Sequence, residues 1–265
     1  MDYALYLGLG AIAGLVSGLF GVGGGVIIVP ILIIAFELKG LPQAVATHIA
    51  VATSLATIFM TSIPSTYTHA QKGLVRWDLV AWISPSIIVG SLGGGLFALS
   101  LSGPSLQLLL GTFFILMSLQ MLFYAPQVGA RDEPSKPLIL VSGTGIGGFS
   151  ALFGIGGGSL TVPFLTYFGV RMHHVVGTAA ACGIPIAIFA TLIYSSTDSP
   201  LGYLPEETLG YIFIPAWFGI VIASMPCSRL GALLAHRLNE QRLKRFFAYL
   251  IMAVGVRFIW ANLVN

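Results

Sequence analysis

A twelve-residue, glycine-rich phrase occurs twice in this chain. "LFGVGGGVIIVP" spans Leu19–Pro30, and "LFGIGGGSLTVP" spans Leu152–Pro163, 133 residues further on. Gly14, Ser17, Phe20, Gly21, Gly23, Gly24, Gly25, Val29 and Pro30 align with Gly147, Ser150, Phe153, Gly154, Gly156, Gly157, Gly158, Val162 and Pro163. A second matched block follows in the same order. "HIAVAT" ends at Thr53 and "HHVVGT" ends at Thr178, so His48 pairs with His173. Two matched blocks in register imply a duplicated unit of about 130 residues. Each copy must also break at its glycines, because a glycine in a helix interior costs about 1 kcal/mol relative to alanine.

The solvent for this fold is set by composition. Of 265 residues, 56% are hydrophobic and 8% charged, and the mean hydropathy is +0.94. A soluble domain carries about a quarter charged residues. The chain is therefore expected to be an all-α integral membrane protein. Apolar runs fall at 3–20, 26–36, 44–66, 79–99, 106–124, 138–153, 159–169, 175–194, 211–226 and 246–263. Most approach the ~20 residues that cross ~30 Å of hydrocarbon. The runs 26–36 and 159–169 do not, and both follow a glycine cluster directly. They read as half-helices or arms of re-entrant hairpins. The domain reading is a first repeat over 1–125, a linker over 126–137 and a second repeat over 138–265.

The net charge of +3 forms no basic patch of the kind that binds nucleic acid. Lys and Arg sit in short loops, where they orient a membrane protein. Placing Lys72, Arg76, Arg131, Lys136, Arg229, Arg237, Arg242, Lys244 and Arg245 inside puts both termini outside, along with the acidic loop of Asp198, Glu206 and Glu207. The start, "MDYALYLGLGAIAG", reads as a first membrane segment, since it lacks a positive n-region. Each repeat then crosses an odd net number of times, so the second is inverted relative to the first. Inverted repeats with broken helices bring their glycine turns together near the midplane.

The first turn of a segment restarting after the glycines has unpaired N–H groups and a positive dipole end, suited to an anion. Gly23, Gly24, Gly25, Gly156, Gly157 and Gly158 are candidate binding positions, with Thr53, Ser54, Thr178 and Ser159 as hydroxyl donors. Val26 stands where the second repeat has Ser159, so the two sides are not equivalent. His48, His173, Cys182 and Arg257 are candidates for coupling or gating. For Arg257 the plainer expectation is a guanidinium reaching the interface. For the hydroxyls it is a bond back to the helix's own carbonyl. Pro185 is expected to kink the 175–194 run. The two cysteines lack ligand spacing, so no metal or disulfide is inferred, and no cofactor is implied. "GVGGGV" lacks the spacing of a dinucleotide loop, and there is no P-loop to couple ATP.

These residues resemble the TauE/SafE family, the sulfite exporter family. "GLFGVGGGVIIVP", "ALFGIGGGSLTVP", "AVATSL" and "VVGTAA" carry the resemblance, which covers essentially the whole chain. It implies a secondary transporter, an exporter of sulfite or an organosulfonate, working by alternating access in the cytoplasmic membrane of a prokaryote. Thiosulfate or other small-anion uptake and an anion channel on the same fold are alternatives, with an integral-membrane enzyme of sulfur metabolism behind them. Proton or ion coupling and homo-oligomerisation stay open. The resemblance also links thiosulfate uptake to cysteines along the path, and only Cys182 is placed for that here. Ala179 replaces the hydroxyl that Ser54 supplies in the first repeat.

Overall fold

The computed structural model describes residues 3–20, 24–123, 135–197, 204–235 and 240–264. Gly23, Arg131, Asp198, Arg237 and nearly all of the 126–137 linker lie outside the described residues. The architecture is α-helical, with α1 (Tyr3–Phe20), α2 (Gly25–Leu38), α3 (Gln43–Gln71), α4 (Trp77–Ser100) and α5 (Gly103–Phe123) in the first half. The second half has α6 (Lys136–Phe153), α7 (Gly158–Tyr167), α8 (Met172–Ser195), α9 (Ile214–Ala235) and α10 (Glu240–Val264). Between α8 and α9 lies a small antiparallel hairpin of β1 (Thr208–Leu209) and β2 (Ile212–Phe213).

Among the described residues, six helices are long and apolar enough to cross a membrane: α3, α4, α5, α6, α8 and the Arg245–Leu263 part of α10. Large apolar side chains such as Phe97, Leu116, Val141, Leu192 and Trp260 are exposed on them. Exposed apolar surface on this scale is suited to lipid rather than water. The chain is thus a multi-pass membrane protein.

The two short runs are helices of 14 residues (α2) and 10 residues (α7). At 1.5 Å per residue they reach about 21 and 15 Å, short of the ~30 Å hydrocarbon core. The run expected at 211–226 differs at its start. Gly210 turns with φ +54°, residues 212–213 pair as a strand, and the helix begins only at Ile214.

Helices of one half pack on helices of the other. α1 lies against α9, α4 against α6, α5 against α10, and α3 against α8. Small residues let the backbones meet. A Cβ on Gly14 would lie 2.5 Å from the Ser224 carbonyl oxygen, and one on Gly255 would lie 2.7 Å from that of Gly111. With no hydrophobic drive between helices in lipid, such close packing holds the bundle together. α3 is its centre: residues from Val45 to Ile58 are buried without interruption.

Candidate functional site

The two glycine blocks meet at α3. α6 ends at Gly154, whose φ of +68° makes a left-handed cap, and the Ile155 N–H turns back to the Ser150 carbonyl at 3.0 Å. Gly25, the first residue of α2, sits on that turn. A Cβ there would lie 2.5 Å from the Gly154 carbonyl oxygen and 2.9 Å from the Ile155 Cα. Ile58 of α3 lies between the blocks, 2.9 Å from the Gly25 Cβ position and 3.5 Å from that of Gly156. Ser54 Oγ, fully buried, donates to the Gly154 carbonyl at 2.8 Å. This hydroxyl does not bond back to its own helix. It ties α3 to the opposite glycine turn.

At the start of α7, the Thr161 N–H bonds the Gly157 carbonyl at 2.8 Å and the Ser159 N–H bonds that of Gly156 at 3.3 Å. Among the described residues, the N–H groups of Gly157 and Gly158 donate to no backbone carbonyl. Gly154 to Gly157 are buried, Ser159 is 8% exposed and Thr161 is fully buried. Gly157 faces Gly183 of α8, and its Cβ position lies 3.2 Å from the Gly183 nitrogen. The start of α2 is apolar by contrast, with Val26, Ile27 and Ile28 buried there.

Thr53 and Thr178 do the same job in the two halves. The Phe213 N–H donates to Thr53 Oγ1 at 3.0 Å, and the Arg76 N–H donates to Thr178 Oγ1 at 3.0 Å. Each donor is the residue just before a helix, α9 or α4, where N–H groups lack intrahelical partners. Each bond crosses from one half of the chain to the other. Both threonines are fully buried.

The other candidates scatter. His48 is buried, with Nδ1 3.2 Å from the Ala44 carbonyl and Nε2 3.1 Å from that of Ala98. A neutral ring can donate to only one of them at a time. His173 is exposed at the start of α8, away from its sequence mate's environment. Cys182 is fully buried within α8. Arg257 does not simply reach for the interface. Its guanidinium pairs with Glu37 of α2 at 3.2 Å.

Glu37 also belongs to a polar cluster that sequence reasoning missed. Gln107, fully buried on α5, donates to Glu37 Oε1 at 2.9 Å and accepts from Gln43 of α3. The signal was present as polar residues inside apolar runs. A second missed set is the hydroxyl-dense end of α3, "TSIPSTYTH", where Thr66 Oγ1 and His69 Nδ1 are buried without a partner. Two depressions are also present, the second bordered by Val26 and Ile27 at the start of α2. One, of about 490 Å³, opens at Glu206, Glu207 and Phe218, and an apolar one of about 220 Å³ lies between α1, α2 and α10. No group of three or more His, Cys, Asp or Glu among the described residues could hold a metal.

A polytopic helical bundle with two short glycine-led helices at its centre is a multi-pass membrane protein, and its family and relatives make it a membrane transporter. The chain belongs to the sulfite exporter TauE/SafE family, whose profile matches residues 6–258. It is 33% identical over 255 residues to a probable membrane transporter protein of Haemophilus influenzae, covering 95% of this chain and 96% of that one. A probable membrane transporter protein of Methanocaldococcus jannaschii is 29% identical over 94% of this chain and 92% of its own length. The Bacillus subtilis probable membrane transporter protein YunE is 26% identical over the full length of both. No solved structure matches the chain.

Proposed function

We propose that this membrane transporter carries a small sulfur-containing oxyanion, sulfite or an organosulfonate, across the cytoplasmic membrane by alternating access of two inverted repeats. The observation that carries the reading is the start of α7. Its amide groups at Gly157 and Gly158 donate to no backbone carbonyl among the described residues, and they stand beside the buried Ser159. A helix N-terminus stabilises an anion through N–H donors and the dipole, with no buried Lys or Arg needed. In hydrocarbon such groups persist only in protein or at a polar cavity. The family's name, sulfite exporter, supports the choice of anion.

The reading places Gly156, Gly157, Gly158 and Ser159 at the anion. Gly24 and Gly25 are the packing counterpart on the other side. Thr53, Ser54 and Thr178 hold the frame, since their oxygens already bond the protein. The Lys72 end of α3 faces the cytoplasm under the Lys/Arg bias, and both termini face outward.

The test is ligand-dependent melting of the purified protein. A ligand at one hundred times its Kd raises stability by about 2.7 kcal/mol. Sulfite is expected to raise the melting temperature of the wild type and not of Gly157→Leu, whose side chain would be driven onto Ile186 Cδ1 at 3.0 Å and the Gly183 backbone. An equal rise in a folded Gly157→Leu protein removes the α7 site.

A further inference from the structure

We propose that the α3–α8 seam at the Lys72 end is the half-pathway by which the anion passes between the Gly157 turn and that face of the membrane. The proposal rests on the transporter reading above and adds the residues that line its route. Two glycine approaches fix how α3 and α8 lie. A Cβ on Gly183 would meet Ser62 Oγ at 3.3 Å, and a Cβ on Gly177 would meet the His69 Cβ at 3.2 Å. The α3 number rises as the α8 number falls, so the helices run antiparallel there. Ser62, Thr66 and His69 are spaced four and three residues apart, which places them on one face of α3. That face looks onto Gly177 and Gly183. A Cβ on Gly183 would also lie 3.8 Å from the Gly157 nitrogen. The seam therefore starts at the α7 amides and ends at the turn carrying Lys72.

The second observation is independent of the geometry. Thr66 Oγ1, His69 Nδ1 and His174 Nδ1 are buried polar atoms without a hydrogen-bond partner, and Thr66 is 5% exposed. His174 lies one turn before Gly177 on α8. Unpaired buried polar atoms cost about 1–3 kcal/mol each, so a chain that keeps two on this face of α3 and a third at the start of α8 keeps them for something that arrives. A hydroxyl and two imidazoles are donors for an oxyanion that has left its water.

The opposite half of α3–α8 is built differently. The sequence duplication relates Thr66 to Thr191, by the same separation that relates Thr53 to Thr178, and Thr191 Oγ1 is likewise unpartnered. The mate of His69 is Tyr194, fully buried, with its ring 6.4 Å from that of Tyr211 and its hydroxyl 3.4 Å from the Ala151 carbonyl. Aromatic side chains occupy that half, whereas hydroxyl, imidazole and glycine lie along the Lys72 half.

Thr66→Val tests the seam directly. The swap is nearly isosteric and removes a hydroxyl that bonds nothing, so the melting temperature is expected to hold or rise. Sulfite flux into liposomes should fall at least fivefold. Unchanged flux overturns the proposal. The second arm uses a protein with Cys182→Ala and Cys227→Ser, into which Ser62→Cys, Thr66→Cys or the lipid-facing control Thr112→Cys is placed. A charged methanethiosulfonate reagent is applied to either face of membrane vesicles, with Gln71→Cys marking the Lys72 face. Positions 62 and 66 should react from that face, at least tenfold faster than position 112. An alkyl sulfonate, which unlike sulfite does not consume the reagent, should slow the reaction. Labelling no faster than at position 112 refutes the seam. Fast labelling that no sulfonate slows supports the aqueous route and refutes the sulfur-anion reading, so the two failures are distinguishable.

Discussion

Replacing Gly25 with alanine is the sharpest test of how the two broken segments meet. The new Cβ would lie 2.5 Å from the Gly154 carbonyl oxygen, 2.9 Å from the Ile155 Cα and 2.9 Å from Ile58 Cδ1. Ile58 can change rotamer, but the first two atoms are backbone and belong to a left-handed turn at φ +68°. The turn must shift, and overpacking of this kind costs about 1–3 kcal/mol. It also pulls the Gly154 carbonyl away from Ser54 Oγ, a buried bond of 2.8 Å. Losing that pairing adds to the cost, and we take about 3 kcal/mol as the total. On the scale of about 2–4 °C per kcal/mol for chains of this size, the melting temperature should fall by about 6–12 °C. Gly156→Ala is the internal control. Its Cβ would meet Ile58 Cγ2 at 3.5 Å, ordinary contact, and should change melting by less than about 2 °C. The assay is thermal unfolding of both purified variants in detergent beside the wild type. Equal melting of Gly25→Ala and Gly156→Ala would refute the reasoning, because it would mean the glycine turns do not touch.

Thr53→Val and Thr178→Val each leave a backbone N–H without its acceptor, that of Phe213 or Arg76, and should each cost about 1–3 kcal/mol in unfolding experiments, with similar values for the two. A large difference between them would break the equivalence of the two halves. Gln107→Leu removes the buried partner of both Glu37 and Gln43, which are themselves part-buried, and should destabilise by about 1 kcal/mol or more. Arg257→Ala should cost under about 1 kcal/mol, since solvent screens a pair whose side chains are 45% and 23% exposed. Finding the reverse order by denaturant titration would make the ion pair, rather than Gln107, the fastener of α2.

The positions of the helices were legible because their signals are local. Glycine clusters followed by 26–36 and 159–169 announced two helices too short to span, and they appear as α2 and α7. Pairing of His48 with His173 and of Thr53 with Thr178 drew attention to the two threonines but not to the N–H groups they accept from. A hydroxyl that accepts an N–H from 160 positions away leaves no pattern near itself. The partner of Arg257 was hidden for the same reason, 220 residues distant at Glu37. Glycines on α4 and α6 advertise a close approach, yet their spacing does not name the helix that approaches. The imidazole pair His48 and His173 shows the limit of repeat logic. Equivalent positions in sequence are a buried ring and an exposed one.

The hydroxyl and imidazole set at the Lys72 end of α3 was passed over because its interest lies in what is missing. Sequence shows Ser62, Thr66 and His69 on one helical face, as it does for many membrane helices. Only the packed structure shows that Thr66 Oγ1 and His69 Nδ1 find no partner there.

The central claim is that this transporter carries a sulfur oxyanion, and flux into liposomes tests it most directly. Purified protein would be reconstituted, loaded externally with radiolabelled sulfite, and challenged with thiosulfate, sulfate and an alkyl sulfonate as competitors. The account predicts saturable uptake above that of empty liposomes, inhibited by at least one sulfur anion and reduced in Gly157→Leu. Flux no greater than in empty liposomes, from protein that still melts cooperatively, would contradict it.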